Sequence, residues 1–339
     1  MSIIPRTDET RRRRAWLWTA TVVLALATAL ISAVPYLPRA PLDAAETRFE
    51  MLAPGIVPGL GSLSISPDGQ RIAYIAAAEG KKAVWIRLIG AAPAQQLLGT
   101  EDAVGLFWSP DSRYLGFIAD GKLKKMDISG GPAQALCDAS IVPAPAAWSR
   151  GGAVLFTARG SRSGFVIGRI SALGGEVRLV TALDASRQEV FHAAPQFLTD
   201  GRHFLYHGLN AAQEVTLYLA SLDSRSAKPL MAMGTLATDS PALFVAPGYL
   251  LFRHNRTLMA QPFDEKRLAL SGEAVSVAEN VASGFSASDI GVLVYRNEMS
   301  RQEESGGAAL AWLDGQSSGQ GSAPVTITVV MNWSAGLKK

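Results

Sequence analysis

The chain has 339 residues, 48% of them hydrophobic and 18% charged, with 32 glycines and 18 prolines, enough for one large folded domain or two ordinary ones. The net charge of +3 sits at the N-terminus, where Arg6, Arg11, Arg12, Arg13 and Arg14 outweigh Asp8 and Glu9. The remainder is close to neutral, which excludes the clustered basic face that a nucleic-acid partner needs.

Residues 1–14 form a basic tail. From Ala15 to Pro38 runs a stretch of 24 residues without a charge, long enough as a helix to span the ~30 Å hydrocarbon core. Trp16, Trp18 and Tyr36 sit at its ends, where amphipathic rings meet the headgroups, and the arginines before it predict a cytoplasmic N-terminus. Everything after it is then expected outside the cytoplasmic membrane. A cleaved signal peptide also begins basic and apolar, but its apolar region is usually only ~7–15 residues, so a retained anchor is the reading adopted. With no lipid-accepting cysteine in this region, a lipoprotein is not expected. Residues 39–47, with Pro41 and little periodicity, read as a linker.

Beyond the linker, over 48–313, short Val/Ile/Leu/Tyr/Phe runs alternate with Gly, Pro, Asp and Ser clusters, and no helical period persists. That pattern predicts an all-β domain. The runs repeat. Ser66-Pro67-Asp68-Gly69 leads to Ile72-Ala73-Tyr74, and Trp108-Ser109-Pro110-Asp111-Ser112 leads to Leu115-Gly116-Phe117. Trp148-Ser149-Arg150-Gly151-Gly152 leads to Val154-Leu155-Phe156, and Leu198-Thr199-Asp200-Gly201 leads to Phe204-Leu205-Tyr206. Degenerate copies end at Phe252 and Tyr295. The six closing aromatics are spaced by 43, 39, 50, 46 and 43 residues. A period near ~40–50 with one turn per copy predicts propeller blades of about four strands. In the Ser-Pro-Asp-Gly turn proline sets φ for the first central position, aspartate can bond the backbone two residues on, and glycine accepts positive φ. One blade buries too little alone, so the copies stand together. The fold expected is therefore a six-bladed β-propeller, complete or short of its final strands, preceded by one transmembrane helix. Arg48-Phe49-Glu50-Met51-Leu52 is the candidate strand to complete the last blade.

The Ser-Pro-Asp-Gly repeats resemble the WD-like repeats of TolB-type propellers. The longer run Phe107 through Met126, and Ala185-Ser186-Arg187-Gln188-Glu189 with Phe197 through Tyr206, resemble the extracytoplasmic propeller of acidobacterial-type membrane serine/threonine protein kinases. The likeness covers roughly Glu46 to Leu313 and the basic anchor before it. It implies a sensor, or a protein- or ligand-binding module. The family's kinase domain precedes the membrane helix, whereas here 14 residues precede it, with no glycine-rich phosphate loop, catalytic His-Arg-Asp or Asp-Phe-Gly. Kinase activity is accordingly not expected. The family region also runs on past Trp312, whereas here residues 314–339 hold a Gly/Ser-rich stretch, an apolar run from Val325 and the basic end Lys338-Lys339. A TolB-like periplasmic scaffold or envelope assembly factor is the alternative, and a truncated fragment of a kinase gene another.

No catalytic, cofactor or metal residue is assigned. A hydrolase would need Gly-x-Ser-x-Gly, but Gly160-Ser161-Arg162-Ser163-Gly164 places arginine at the nucleophile. Of the histidines His192, His203, His207 and His254, the pair His203 and His207 would lie ~13 Å apart on a strand, too far for one zinc with ligands near ~2.1 Å; both read as blade-turn histidines. Asp68, Asp111 and Asp200 each recur in their own turn and read as structural, while Asp264 lies in a polar stretch between strands. Gly59-Leu60-Gly61 lacks the third glycine of a dinucleotide loop. Cys137, the only cysteine, excludes an internal disulfide and reads as a small buried hydrophobe. Val325 to Val330 reads as an edge strand of the last blade. The partner is a protein or small ligand at the propeller face, with no cofactor and no nucleic acid.

Overall fold

The computed structural model describes residues 45–297 and 326–338, apart from 54, 58–60, 79, 92, 141, 143, 161–163, 236–241 and 247. The expected transmembrane helix at 15–38 lies outside the described residues, and within them no helix is long and apolar enough to cross a membrane.

The turns organise the chain as their composition predicts. Ser66, Ser109, Ser149 and Ser288 are buried, and each hydroxyl accepts a backbone N–H from the start of the following strand, at 2.8–3.0 Å. In the first two turns the serine also donates to the aspartate two residues on, at 2.5 Å in both. The fourth residue of all six turns has positive φ: Gly69, Ser112, Gly152, Gly201, Gly248 and Gly291. Only Ser112 has a side chain there, and its hydroxyl accepts the Asp68 N–H of the neighbouring turn at 3.1 Å. The degenerate copies at Pro247-Gly248 and Asp289 to Tyr295 thus keep the backbone of the turn after losing most of its side-chain chemistry.

The strands gather into five sheets. β1 (Thr47–Leu52) begins the described chain and joins the final sheet. β2 (Leu63–Ile65), β3 (Arg71–Ala78), β4 (Lys81–Leu88) and β5 (Gln95–Gln96) form one sheet. β6 (Val104–Trp108), β7 (Tyr114–Ala119), β8 (Lys122–Asp127) and β9 (Gln134–Asp138) form the next. An eight-stranded sheet holds β10 (Ala147–Trp148), β11 (Ala153–Arg159), β12 (Phe165–Ser171) and β13 (Arg178–Leu179), then β14 (Glu189–Phe197), β15 (His203–Asn210), β16 (Glu214–Ser221) and β17 (Ser224–Thr235). Among the described residues the one backbone pairing that joins its two four-strand halves is the parallel pairing of Phe165 with Phe191, whose rings pack edge-on at 5.3 Å. β18 (Leu243–Val245), β19 (Tyr249–His254), β20 (Thr257–Asp264), β21 (Ala269–Leu270) and β22 (Val275–Ala278) follow. β23 (Val281–Ala287) and β24 (Val292–Asn297) complete the final sheet with β25 (Thr326–Met331) and β1. Successive units of four or five strands, each with its first strand innermost, make an all-β propeller.

Apolar side chains fill the spaces between successive units, in six clusters. Each closing aromatic enters one of them. Tyr74 packs against the final sheet, Phe117 against the first, Phe156 against the second, and Tyr206, Phe252 and Tyr295 continue the series. An aromatic spaced one repeat apart therefore becomes one wedge per seam.

Three expectations are corrected. The run from Val325 is no edge strand, because β25 lies between β24 and β1. The reason is its two apolar faces: Ile327 and Val329 enter one core, while Val330 and the following Trp333 enter the next. β1, with exposed Arg48, Glu50 and Leu52, is the strand suited to water. Asp264 caps a turn of its own, accepting the Lys266 and Arg267 N–H groups at 2.9 and 3.0 Å. His203 does sit at its turn, its Nδ1 2.5 Å from Asp200, but His207 lies buried in mid-strand and accepts the Ala242 N–H on Nε2 at 2.9 Å. Cys137 is half-buried against a core, and burial pushes its thiol up to about 11.

Candidate functional site

The innermost strands β2, β6, β10, β14, β18 and β23 line one channel of about 260 Å³. Three of them are bulged, with positive φ at Gly105, Ala194 and Gly284. A bulge bends its strand and re-aims the side chains beyond it. Neighbouring innermost strands are clasped by side chains. The Gln196 amide donates to the Phe244 carbonyl at 2.6 Å and accepts the Phe244 N–H at 2.5 Å, mimicking a strand pairing between β14 and β18. Trp108 Nε1 donates to the Ser64 carbonyl at 3.3 Å, and Ser286 Oγ accepts the Ile65 N–H at 3.1 Å. These bonds stiffen the wall.

On the face that carries the turns lies a mouth of about 570 Å³. Trp108, Trp148, Phe197 and Phe244 supply its apolar surface. Its charges are Asp200, Arg150 and Asp289, and Arg150 of the third turn pairs with Asp289 of the last at 3.3 Å. Both side chains are mostly exposed, so this pair is weak and readily exchanged for a bound group. Beside the mouth, the Tyr114 and Trp148 rings lie tilted against each other at 6.1 Å, with the Lys125 ammonium 5.4 Å and 5.8 Å from their centres. Asp111 is held below the usual carboxylate range by the Ser109 hydroxyl and the Arg113 N–H. At Asp200 burial alone pushes the pKa up, but the bonds from His203 and two backbone N–H groups outweigh it, so the carboxylate is favoured. Broad aromatic faces with a few charges are the chemistry of recognition.

A second polar cluster looks more like machinery and is sealed. His192 is fully buried, its Nδ1 2.9 Å from Thr181 Oγ1 and its Nε2 3.0 Å from Glu189 Oε2. Tyr206 lies 4.7 Å from its ring, and burial drives that phenol well above its ordinary value. Burial pushes Glu189 up, but the His192, Asp184 N–H and Tyr218 bonds outweigh it, so its pKa falls. Thr181 Oγ1 accepts the Ile167 N–H at 2.9 Å, as Thr100 accepts Val84 two units earlier at 3.0 Å. The cluster ties an outer connection to its sheet, and His192 itself is fully buried.

Asp68, Asp111 and Asp200 each bond within their own turns. Among the described residues no three His, Cys, Asp or Glu side chains gather in a way that could hold a metal ion. The mouth residues Trp148, Arg150, Gln196 and Phe197 were not singled out from the sequence. A signal exists for one of them: Trp148, like Trp108, precedes its turn serine, the last place on an innermost strand.

No protein-family model matches the chain, and no curated protein matches it. Solved structures do. An oligogalacturonate lyase in complex with manganese superposes with a TM-score of 0.52 at 12% identity, covering 86% of this chain and all of that one. The chain has a propeller fold. TolB from Acinetobacter baumannii aligns at 13% identity and TM-score 0.46, over 80% of this chain and 55% of that chain. A putative TolB from Agrobacterium tumefaciens gives 14%, 0.46, 69% and 89%. At these identities the likeness concerns the fold alone.

Proposed function

We propose that this chain is a non-catalytic binding module, a six-bladed propeller that receives a protein or small ligand on its turn-bearing face. The six apolar seams, each holding one closing aromatic, support that blade count, with the eight-stranded sheet supplying two blades. The observation that carries the binding reading is the mouth itself. There Trp148, Phe197, Arg150 and Asp289, from strand ends and turns far apart in sequence, meet above one channel. Loops on a rigid scaffold are where recognition concentrates. In this reading residues 15–38 hold the chain in the cytoplasmic membrane with the propeller outside, and the occupied mouth serves a sensor related to receptor-type serine/threonine kinases.

Capture from solubilised membranes with the full chain as bait tests it, alongside Trp148→Ala and Arg150→Glu baits. The expected result is a partner lost with both variants; a partner retained by both overturns the mouth reading. A kinase or regulator among the captured proteins supports the sensor role, whereas envelope proteins point to a scaffold. Phosphoryl-transfer or hydrolase activity that stays with the purified chain would overturn the non-catalytic reading. A reporter active only outside the cytoplasm, fused after Lys339, is expected to be active.

A further inference from the structure

A second concavity, of about 470 Å³, lies away from the mouth, where β1 meets the outer part of the first sheet. Its size is that of a small-molecule pocket. Tyr74 and Trp85, directly opposite one another on β3 and β4, form one wall. Leu52, Ala76 and Pro93 supply apolar surface, and Arg87, two residues beyond Trp85 on the same face of β4, supplies the cation.

The polar side chains here, Tyr74, Trp85 and Arg87, can each donate a hydrogen bond. Tyr74 is 3% exposed. Burial pushes its pKa up, against the opposing influence of Arg87, so it keeps its proton. Trp85 Nε1 is buried without a partner. Arg87 spends Nη1 on the Leu52 carbonyl at 3.0 Å and Nε on the Ala91 carbonyl at 3.4 Å, leaving its Nη2 edge unbonded among the described residues. Among the described residues no aspartate or glutamate lines the pocket. A buried donor without an acceptor, such as Trp85 Nε1, is uncommon and calls for an explanation, and a guanidinium beside a phenol is suited to a carboxylate.

We propose that this seam binds a small monocarboxylate with a flat apolar body, its carboxylate on Arg87 and the Tyr74 hydroxyl and its body between Leu52, Ala76 and Pro93. Because Arg87 already holds the end of β1, such a ligand also braces the strand that completes the final sheet.

The probe is 4-fluorobenzoate, followed by fluorine NMR against the full chain, with 4-fluorobenzamide as the uncharged isostere. Binding is expected for the acid and at least tenfold weaker for the amide. Arg87→Met keeps the apolar stem and should weaken binding tenfold or more. Tyr74→Phe removes one oxygen and should weaken it several-fold. Equal binding of acid and amide, unchanged binding in both variants, or no binding by the wild-type chain each overturns the proposal. Should Arg87→Met fail to fold, seen as lost near-ultraviolet circular dichroism, Tyr74→Phe decides alone.

Discussion

Ser112 poses opposing effects whose magnitudes can be separated. Its backbone is left-handed, φ +59°, where the other five turns have glycine. A residue with a Cβ pays about 1–2 kcal/mol there. Against this, its buried hydroxyl accepts the Asp68 N–H at 3.1 Å, tying the second turn to the first. Such a bond contributes about 0.5–1.5 kcal/mol net. Ser112→Ala keeps the strain and loses the bond, so it should destabilise by about 1 kcal/mol. Ser112→Gly loses the same bond but relieves the strain, offset in part by the greater freedom of glycine in the unfolded chain, a term of about 0.4–1 kcal/mol. Its net effect should lie near zero. At roughly 2–4 °C per kcal/mol for a domain this large, alanine should lower Tm by a few degrees and glycine should barely change it. Calorimetry of the two variants beside wild type is the assay. A glycine variant as unstable as the alanine variant would refute the assignment of strain to this position.

Asp111→Ala removes acceptors for the Ser109 hydroxyl and the Arg113 N–H and should cost about 1–2 kcal/mol. Asp223→Ala, which loses only an exposed pairing with Arg202, should stay within about 0.5 kcal/mol in urea titrations; equal losses would deny the turn its role. Phe117, fully buried in a seam, should cost about 3–5 kcal/mol on truncation to alanine, lowering the urea midpoint without loss of β circular dichroism. His207 is pushed down to about 4 by burial, against an ordinary 6.5, with the Ala194 backbone opposing. Since the unfolded chain binds that proton more readily, the stability it contributes is complete above about pH 6.5 and declines as pH falls toward 4, by about 3 kcal/mol in all. Glu189 and Asp200, with lowered pKa values, lose stability in the same acid direction, so the difference in pH profile between wild type and His207→Gln isolates the histidine. Parallel profiles between pH 4 and 6.5 would count against it.

Local chemistry was legible without coordinates. The four-residue turns, the alternation behind them and the one-per-repeat aromatics from Tyr74 to Tyr295 depend on neighbours in sequence, so the all-β propeller followed from spacing. Arg48 to Leu52 was likewise recognisable as a strand of the last blade, because its alternation survives at a distance from any turn.

What the sequence by itself determined, then, is the repeat: where each turn falls, which residues bond within it, and which apolar side chains must find a neighbouring sheet. What only the tertiary structure decided is everything that depends on pairs far apart in the chain. The place of β25 between β24 and β1 is one case, since an apolar run of six residues reads alike as an edge or an interior strand until its partners are known. The seat of His207 under Ala242 and the Arg150–Asp289 pair over the mouth are others. The pocket of Tyr74, Trp85 and Arg87 is a fourth, completed by Leu52 from the opposite side of the closing seam. The physical reason is common to them all. Turn geometry is set by the dihedral preferences of adjacent residues, whereas a ring brings together groups whose separation in sequence, 139 residues for Arg150 and Asp289, carries no local signal.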